Sequence, residues 1–295
     1  MANLKEIQRQ IKSVSNTQKT TRAMKLVSTA KLRRAEELAK RSRQYAHKMH
    51  QVIAEIATRI KCNKIGGLDN RCFNEISSPK CVDIVFVTAD KGLCGGFNIQ
   101  TLKATRKLIN EYTSKGVKVR LRGIGKKGVE FFKFNGTELM DHLNDLSSKP
   151  DKKRSDKFIR SSIEDFKNGV TDGLHVVYNG YKNMITQELH SYKLLPVDSS
   201  MLDCEDARKS TLEVESDDEE KMLDSLVDRY VEYSIYYALI DSVAAEHSAR
   251  MQAMDAATNN AKEMVSSLQI QFNKARQAAI TTELIEIISG VESMK

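Results

Sequence analysis

The sequence predicts an α/β protein in which long N- and C-terminal helices pair as an antiparallel coiled coil next to a central Rossmann-like α/β domain. Its only three prolines, Pro79, Pro150 and Pro196, lie in the middle of the 295-residue chain. Proline breaks helix interiors, so the proline-free ends favour long helices. In the middle, β-rich runs alternate with helical runs, which is typical of a parallel sheet with covering helices.

The N-terminal segment, residues 1–60, is predicted to form the first long helix. Its leading apolar residues follow the three-four heptad spacing of a coiled coil, at Leu4, Ile7, Ile11 and Val14. No glycine occurs before Gly66 to interrupt it. A helix of about 55 residues is about 80 Å long at roughly 1.5 Å per residue. No ordinary globular domain buries that length, so we expect a second long helix as its partner.

The C-terminal segment, residues 206–295, supplies that partner. No proline or glycine occurs between residues 217 and 289, and apolar residues recur there at helical spacing. Gly290 is expected to end the helix. Residues 203–224 hold ten acids and three bases. We expect this acidic stretch to be a solvated linker or the entry to the helix.

The central segment, residues 61–205, is predicted to form the α/β domain. Runs rich in β-branched and apolar residues predict strands at 82–88, 117–122 and 174–178. Helical patterns between and after them predict helices at 99–114, 124–133 and 155–168.

Positive charge is concentrated at the N-terminus. Residues 1–50 carry thirteen Lys or Arg and three acids, so they contribute +10 to a net charge of +8. A basic arm on a nearly neutral body implies an acidic partner. Nucleic acid, an anionic membrane surface and an acidic protein all remain open on this ground.

A polar turn interrupts the seam of the first helix. Residues 16–25 are polar on almost every side and include three threonines, which are poor helix formers. Polar groups in a core are costly unless they are satisfied, so this turn indicates a specific partner. The following basic run, which includes Lys31 and Arg33, suits an electrostatic contact with acidic side chains.

Two glycine-rich turns raise the possibility of phosphate binding. Gly123–Gly128 matches the G-x-G-x-x-G pattern that brings a helix N-terminus to a pyrophosphate. However, it follows the second predicted strand, which is charged, so we interpret it as a plain tight turn. Gly92–Gly96 lacks the Lys-Ser/Thr ending of a phosphate loop and is also interpreted as a structural turn.

The remaining residue patterns indicate no active site. Five cysteines are scattered without metal-like spacing, which favours free thiols, and His47 and His50 share a helix face without a third ligand. The sequence contains no run of about 18 apolar residues, so we predict no membrane span. The start of the chain has no apolar signal region, so we expect no secretory signal. We therefore predict no catalytic residue, no metal and no cofactor.

Four blocks of the sequence lie near both ends and in the middle of the chain. They are NTQKTTRAMKLVSTAKLR at 16–33, TADKGLCGGFN at 88–98, EHSARMQAMDAATNN at 246–260 and FNKARQAAITTELIEIISG at 272–290. These blocks resemble the gamma subunits of F-type ATP synthases, of the bacterial type, and the resemblance covers essentially the whole chain.

The resemblance implies a rotating shaft whose paired helices enter a ring of alternating alpha and beta subunits. The central domain would contact the epsilon subunit and the membrane c-ring, and the catalytic sites would belong to beta. The residues expected to contact the head are Met24, Lys25, Lys31, Arg33, Arg250, Arg276, Gln277, Thr281 and Glu283.

The resemblance also implies a peripheral position on the cytoplasmic face of a bacterial inner membrane, with no small-molecule substrate. Chloroplast members carry a redox-regulated cysteine pair in an inserted loop. Cys62 and Cys72 lie elsewhere in this sequence, so we predict no such switch.

Two alternatives stand beside this interpretation. The basic arm would suit a coiled-coil nucleic-acid-binding protein, but residues 1–50 contain a single aromatic, Tyr45, for base stacking. Gly123–Gly128 would suit a nicotinamide-dependent enzyme, but no other motif supports one.

Overall fold

The computed structural model describes residues 4–63, 71–74, 76–146, 149–197 and 219–294, without the side chains of 57–63 and 219–223. The helices in these ranges are α1 (Leu4–Asn63), α2 (Phe97–Ser114), α3 (Lys126–Phe134), α4 (Lys152–Lys167) and α5 (Glu219–Glu292). The strands are β1 (Cys81–Val87), β2 (Lys118–Ile124), β3 (Leu139–Leu143), β4 (Gly173–Tyr181) and β5 (Gln187–Leu195).

The chain divides into two compact units. The first consists of Met1–Thr29 and Arg250–Lys295, and the second consists of Ala30–Ala249. The first unit is a pair of helical segments from α1 and α5, and the second contains the sheet with its helices. None of the described helices combines the length and the apolarity that crossing a bilayer requires.

The second unit is built on a five-stranded, mostly parallel sheet in the order β3-β2-β1-β4-β5. The three predicted strands are confirmed, and parallel pairing joins β3 through β4. The prediction was incomplete in two places, because it lacked β3 and the antiparallel edge strand β5. Strand β5 alternates poorly between buried and exposed residues, so no hydrophobic pattern marks it.

Helices cover both faces of this sheet. On one face, Phe166 of α4 and Val231 of α5 pack with Val85 and Val176 in one apolar cluster. On the other face, residues of α2 and α3 pack against Ile84 and Phe86. Strands β1 and β4 are therefore buried on both sides, as parallel strands usually are.

The two predicted long helices are confirmed. In the first unit Thr21 faces Thr258 and Lys25 faces Asp255. In the second unit Arg43 faces Tyr237 and His50 faces Tyr230. In each unit, the contacts fit antiparallel helices.

The predicted end of the second helix was wrong, since α5 continues past Gly290 to Glu292. Gly290 does not adopt the left-handed conformation that ends helices. Of the predicted acidic linker, residues 203–218 lie outside the described residues.

Candidate partner-binding surface of the long helices

The polar turn of α1 is partly satisfied inside the first unit. The hydroxyl oxygens of Thr21 and Thr258 are 2.8 Å apart, and Thr258 also donates to the Met254 carbonyl at 2.6 Å. Lys25 Nζ donates to Asp255 Oδ1 at 2.6 Å. At these positions the two helices are therefore joined by hydrogen bonds and an ion pair instead of apolar contacts.

The neighbouring threonines are accommodated by bonds to their own helix. Thr17 donates to the Ser13 carbonyl at 3.1 Å, and Thr20 donates to the Asn16 carbonyl at 3.0 Å. Such local bonds explain how a threonine-rich turn remains helical. The demand for a partner that the sequence suggested is therefore met in part by α5.

Sequence reasoning missed Asp255 and Thr258 as the partners of this turn. Their positions depend on the register between two segments more than two hundred residues apart, and no local pattern fixes that register. The ion pair also has both side chains about one-third to one-half exposed, so it is worth about 0–1 kcal/mol.

The predicted head-contacting residues of the N-terminal half differ in exposure. Met24 and Lys25 are half-buried, whereas Lys31 and Arg33 are exposed. Arg250, on α5, is buried. Lys25 is engaged by Asp255 in the free chain, so a contact with another subunit must share or replace that ion pair.

Lys31 borders a shallow groove within the second unit. Arg34 and Lys149 complete a cationic rim, and the floor is apolar, with Leu38 on α1 and Ile240 on α5. Among the described residues, none of the three cations has a carboxylate within ion-pair distance. The groove therefore combines unpaired positive charge with apolar surface, which suits an acidic segment that carries apolar side chains.

The C-terminal end of α5 is exposed on almost all sides. The predicted contact residues Arg276, Gln277, Thr281 and Glu283 are all exposed. So are large apolar residues of the same stretch, namely Ile280, Leu284, Ile285, Ile287, Ile288 and Val291. Exposed apolar residues in such number are typical of surfaces that bind other proteins.

The Gly123–Gly128 turn is explained by close packing on β1. A Cβ added at Gly123 would lie 2.6 Å from Phe86, and Cβ atoms at Gly125 and Gly128 would collide with Thr88 and Phe86. Gly125 also has φ of 100°. Because these residues are glycines, the connection from β2 to α3 can pack directly against Phe86 and Thr88.

The amides of this turn are already bonded within the protein. Asp90 Oδ1 accepts from the Lys126 amide at 3.0 Å, and Thr88 Oγ1 accepts from the Gly128 amide at 3.0 Å. In a dinucleotide site such amides face a pyrophosphate. Here a carboxylate and a hydroxyl occupy that role, which supports the interpretation as a structural turn.

The charges of β2 are likewise structural. Arg120 Nε donates to Asp83 Oδ1 at 2.6 Å, and Arg122 Nε donates to Asp83 Oδ2 at 3.1 Å. Asp83 is fully buried, and Asp165 of α4 contacts both arginines. The network fastens α4 to the sheet, so the charged strand belongs to the domain's interior.

The described cysteines and histidines form no reactive cluster. Cys72 and Cys94 are buried, and burial raises the pKa of Cys72 to about 12. His50 pairs with the Tyr230 hydroxyl at 3.1 Å. No group of three potential metal ligands occurs among the described residues. The side chain of Cys62 lies outside them, so the prediction about Cys62 and Cys72 stays a prediction.

Long helices at both ends of the chain and a five-stranded, mostly parallel sheet with helices on both faces define the class of fold. Solved structures share this fold. One is a central stalk and c-ring structure of Tetrahymena thermophila mitochondrial ATP synthase, with a TM-score of 0.61, 23% identity and coverage of 81% of this chain and 99% of that chain. Another is a Euglena gracilis mitochondrial ATP synthase structure described as OSCP/F1/c-ring, with a TM-score of 0.66, 16% identity and coverage of 99% and 94%.

Sequence comparisons identify the family. The ATP synthase family model matches residues 3–294. An ATP synthase gamma chain of Sulfurimonas denitrificans is 78% identical over 295 residues, and one of Sulfurovum sp. is 63% identical over 295 residues, each with full coverage of both chains. The chain belongs to the ATP synthase gamma chain family.

Proposed function

We propose that this chain is the rotating central shaft of an F-type ATP synthase. The shaft couples ion flow through a membrane c-ring to ATP synthesis or hydrolysis at the beta subunits. The observation that carries the proposal is the exposed apolar end of α5, from Arg276 onward. An apolar helix end of this length favours insertion into a sleeve formed by other chains.

The contact with the head is assigned to the nine predicted residues in two groups. The lower group contains Met24, Lys25 and Arg250, beside the lower, acidic loops of the beta subunits, together with Lys31 and Arg33, whose basic run meets acidic side chains. The basic groove at Lys31 supports this assignment through charge complementarity. The upper group, at the exposed end of α5, consists of Arg276, Gln277, Thr281 and Glu283.

The catalytic sites are assigned to beta, not to this chain. The glycine turn of the α/β domain has two of its helix-start amides bonded by Asp90 and Thr88, which supports a non-catalytic role. We assign residues 1–60 and 206–295 to the coiled coil and residues 61–205 to the central α/β domain. This domain would contact the epsilon subunit and the c-ring, at the cytoplasmic face of a bacterial inner membrane.

Rotation requires many weak contacts. A ligand or subunit shifts a conformational equilibrium only through a difference in affinity between the states. Surface ion pairs are individually worth about 0–1 kcal/mol. Several of them along an asymmetric shaft can therefore favour successive beta conformations without fixing the rotor in one orientation.

The family assignment leaves the nucleic-acid-binding and nicotinamide alternatives without support. In this family the excess positive charge of residues 1–50 has an acidic protein surface as its expected partner. We therefore propose neither alternative.

Reconstitution tests the proposal. The chain is mixed with alpha and beta subunits, and co-elution and ATPase activity are measured. We expect one copy of this chain in a stable complex with multisite ATPase activity. The double variant Arg276→Ala, Gln277→Ala should weaken the complex, whereas Lys107→Ala, at an exposed position on α2, should not. A folded chain that does not bind the head would contradict the proposal.

A further inference from the structure

A buried carboxylate lies where both long helices meet the β4–β5 hairpin, within the unit Ala30–Ala249. Asp241 of α5 is 1% exposed. It lies against Gly180 of β4, where an added Cβ would collide with the Asp241 carboxylate and the His190 ring. Burying a carboxylate is costly unless charged or hydrogen-bonding groups compensate it, so the groups around Asp241 have a structural consequence.

The cation beside it is Arg43 of α1. Arg43 Nη2 lies 3.5 Å from Asp241 Oδ1 and donates to the Tyr181 carbonyl at 2.9 Å. Its Nε donates to the Tyr237 hydroxyl at 3.1 Å. One guanidinium from α1 therefore contacts both α5 and the end of β4. Arginine presents several donors in a rigid planar fork, so Arg43 hydrogen-bonds Tyr181 and Tyr237 together. Asp241 Oδ1 accepts no hydrogen bond, so the interaction of Arg43 with Asp241 is an ion pair.

The hairpin has a second attachment to α5. Ser248 Oγ donates to the Met184 carbonyl at 2.9 Å and accepts from Gln187 Nε2 at 3.1 Å. The hairpin is thus tied to α5 at two points along its length, through Ser248 and through Asp241, whose carboxylate accepts a hydrogen bond from the Tyr181 backbone. Arg43 adds α1 to this connection.

We infer that Arg43 is a positioning residue for torque transmission, which locks α1 to α5 and to the β4–β5 hairpin. The inference rests on the proposed function as a shaft. A turning force on the sheet then reaches both helices together. Apolar packing also holds α5 on the sheet, through residues such as Val231 and Ile235, but the hydrophobic effect is non-directional. Directed hydrogen bonds resist sliding of one helix along the other.

The electrostatics agree with this role. Burial raises the pKa of Asp241, and the positive charge of Arg43 opposes that rise. Without Arg43 the carboxyl group would bind a proton more readily and lose its attraction for the hairpin backbone. The charge of Asp241 and the hydrogen bonds to Tyr181 and Tyr237 therefore depend on the same guanidinium, that of Arg43.

The test uses the complete enzyme reconstituted in lipid vesicles. ATP hydrolysis and ATP-driven ion uptake are measured on the same sample, and uptake is measured both for protons and for sodium ions. In Arg43→Met we expect hydrolysis within about twofold of wild type. Ion uptake per ATP should fall about threefold or more, consistent with loss of hydrogen bonds to a charged group. Arg43→Lys keeps the charge without the fork and should be intermediate. The matched control is Arg160→Met, which removes a 3.1 Å bond between α4 and Glu232 of α5 and leaves α1 untouched.

A purely structural role would lower the amount of assembled enzyme and leave uptake per ATP unchanged. Normal uptake per ATP in Arg43→Met would overturn the inference, and so would an equal loss in Arg160→Met. If Arg43→Met does not assemble, Tyr237→Phe decides, because it removes one hydrogen bond of the connection. Lowered uptake per ATP in that variant supports the inference, and normal uptake overturns it. Failure of the wild-type chain to assemble or couple would instead refute the proposed function.

Discussion

At the scale of single residues, two glycines with positive φ differ in how a side chain added there would fit. Gly116 and Gly125 both have positive φ, of 75° and 100°. A Cβ at Gly116 would meet nothing within 4 Å, whereas a Cβ at Gly125 would collide with the backbone carbonyl of Thr88. Both positions therefore need positive φ, but Gly125, with ψ of 131°, adopts backbone angles that are open almost only to glycine and also lacks space for a side chain.

We predict that Gly116→Ala lowers the unfolding free energy by about 1 kcal/mol, which is the strain alone. Gly125→Ala should lower it by at least about 3 kcal/mol, because the β1 backbone must also move. Urea unfolding of both variants measures the difference. Equal losses would show that the turn adjusts to a side chain and that packing on Thr88 does not require glycine.

A buried histidine predicts acid sensitivity. Burial, with a smaller effect from Lys193, lowers the pKa of His175 from 6.5 to about 4. Its Nε2 lies 2.7 Å from the Tyr112 hydroxyl. Below pH 6.5 the unfolded chain binds a proton that the folded chain binds only near pH 4. Stability from the neutral ring is therefore present above pH 6.5 and is lost as the pH falls through this range.

Between pH 7 and pH 5, this effect should cost the wild type about 2 kcal/mol of unfolding free energy. His175→Gln retains hydrogen-bonding capacity without titrating, so it should lose less over the same interval. His47→Gln, at an exposed position on α1, is the control and should behave as the wild type. The measurement is urea unfolding at both pH values. Identical pH dependence in wild type and His175→Gln would contradict the prediction.

At the scale of elements, the sequence predicted those with strong periodicity and missed those defined by tertiary contacts. The long helices followed from the absence of proline and glycine and from apolar spacing. Strand β4 was predicted only over 174–178, but it continues to Tyr181 through Asn179 and Gly180, a pair that is typical of turns. In the structure Asn179 is buried and donates to the Phe97 carbonyl at 2.9 Å, and Gly180 makes room for Asp241.

The candidate site was predictable to a similar degree. The exposed end of α5 and the basic run of α1 follow from local composition, whereas the groove at Lys31 also needs Lys149 and Ile240 from distant parts of the chain. The pairing of Lys25 with Asp255 and of Arg43 with Asp241 depends on the register of two distant helices, which one sequence does not fix. Residue types alone therefore indicate contact surfaces, but they do not show which polar groups are already satisfied within the chain.

The exposed end of α5 should contribute to assembly and not to folding. Ile287 and Ile288 are each 62% exposed. The double variant Ile287→Ser, Ile288→Ser should change the unfolding free energy of the free chain by less than about 0.5 kcal/mol. Its dissociation constant from the alpha–beta head should rise about tenfold or more, because two apolar side chains lose a buried environment.

Ile99→Ser is the matched control for this prediction. Ile99 lies on α2 and is 55% exposed, so the change removes a similar apolar side chain from the α/β domain. Binding to the head, measured by surface plasmon resonance, should stay at the wild-type value. Weakened binding by both variants would indicate a general effect of lost surface hydrophobicity and not a specific contact of the α5 end.

At the scale of the whole molecule, the charge distribution predicts how the shaft meets its head. Residues 1–50 contribute +10, and the remainder of the chain sums to −2. Complementary charge accelerates association more than it strengthens the final complex. Salt screens exposed charges, with a Debye length of about 10 Å at 0.1 M. We therefore expect the association rate constant with the alpha–beta head to fall about tenfold between 50 and 500 mM NaCl.

Two triple variants with equal charge change locate this effect. Lys31→Gln, Arg33→Gln, Arg34→Gln removes three positive charges from the basic arm. Lys103→Gln, Lys107→Gln, Lys118→Gln removes three from exposed positions of the α/β domain. Stopped-flow association should show a shallower salt dependence for the arm variant and a wild-type slope for the domain variant. Because net charge changes equally, equal slopes would mean that total charge governs the encounter, whereas the expected difference would make the arm the surface that the head meets first.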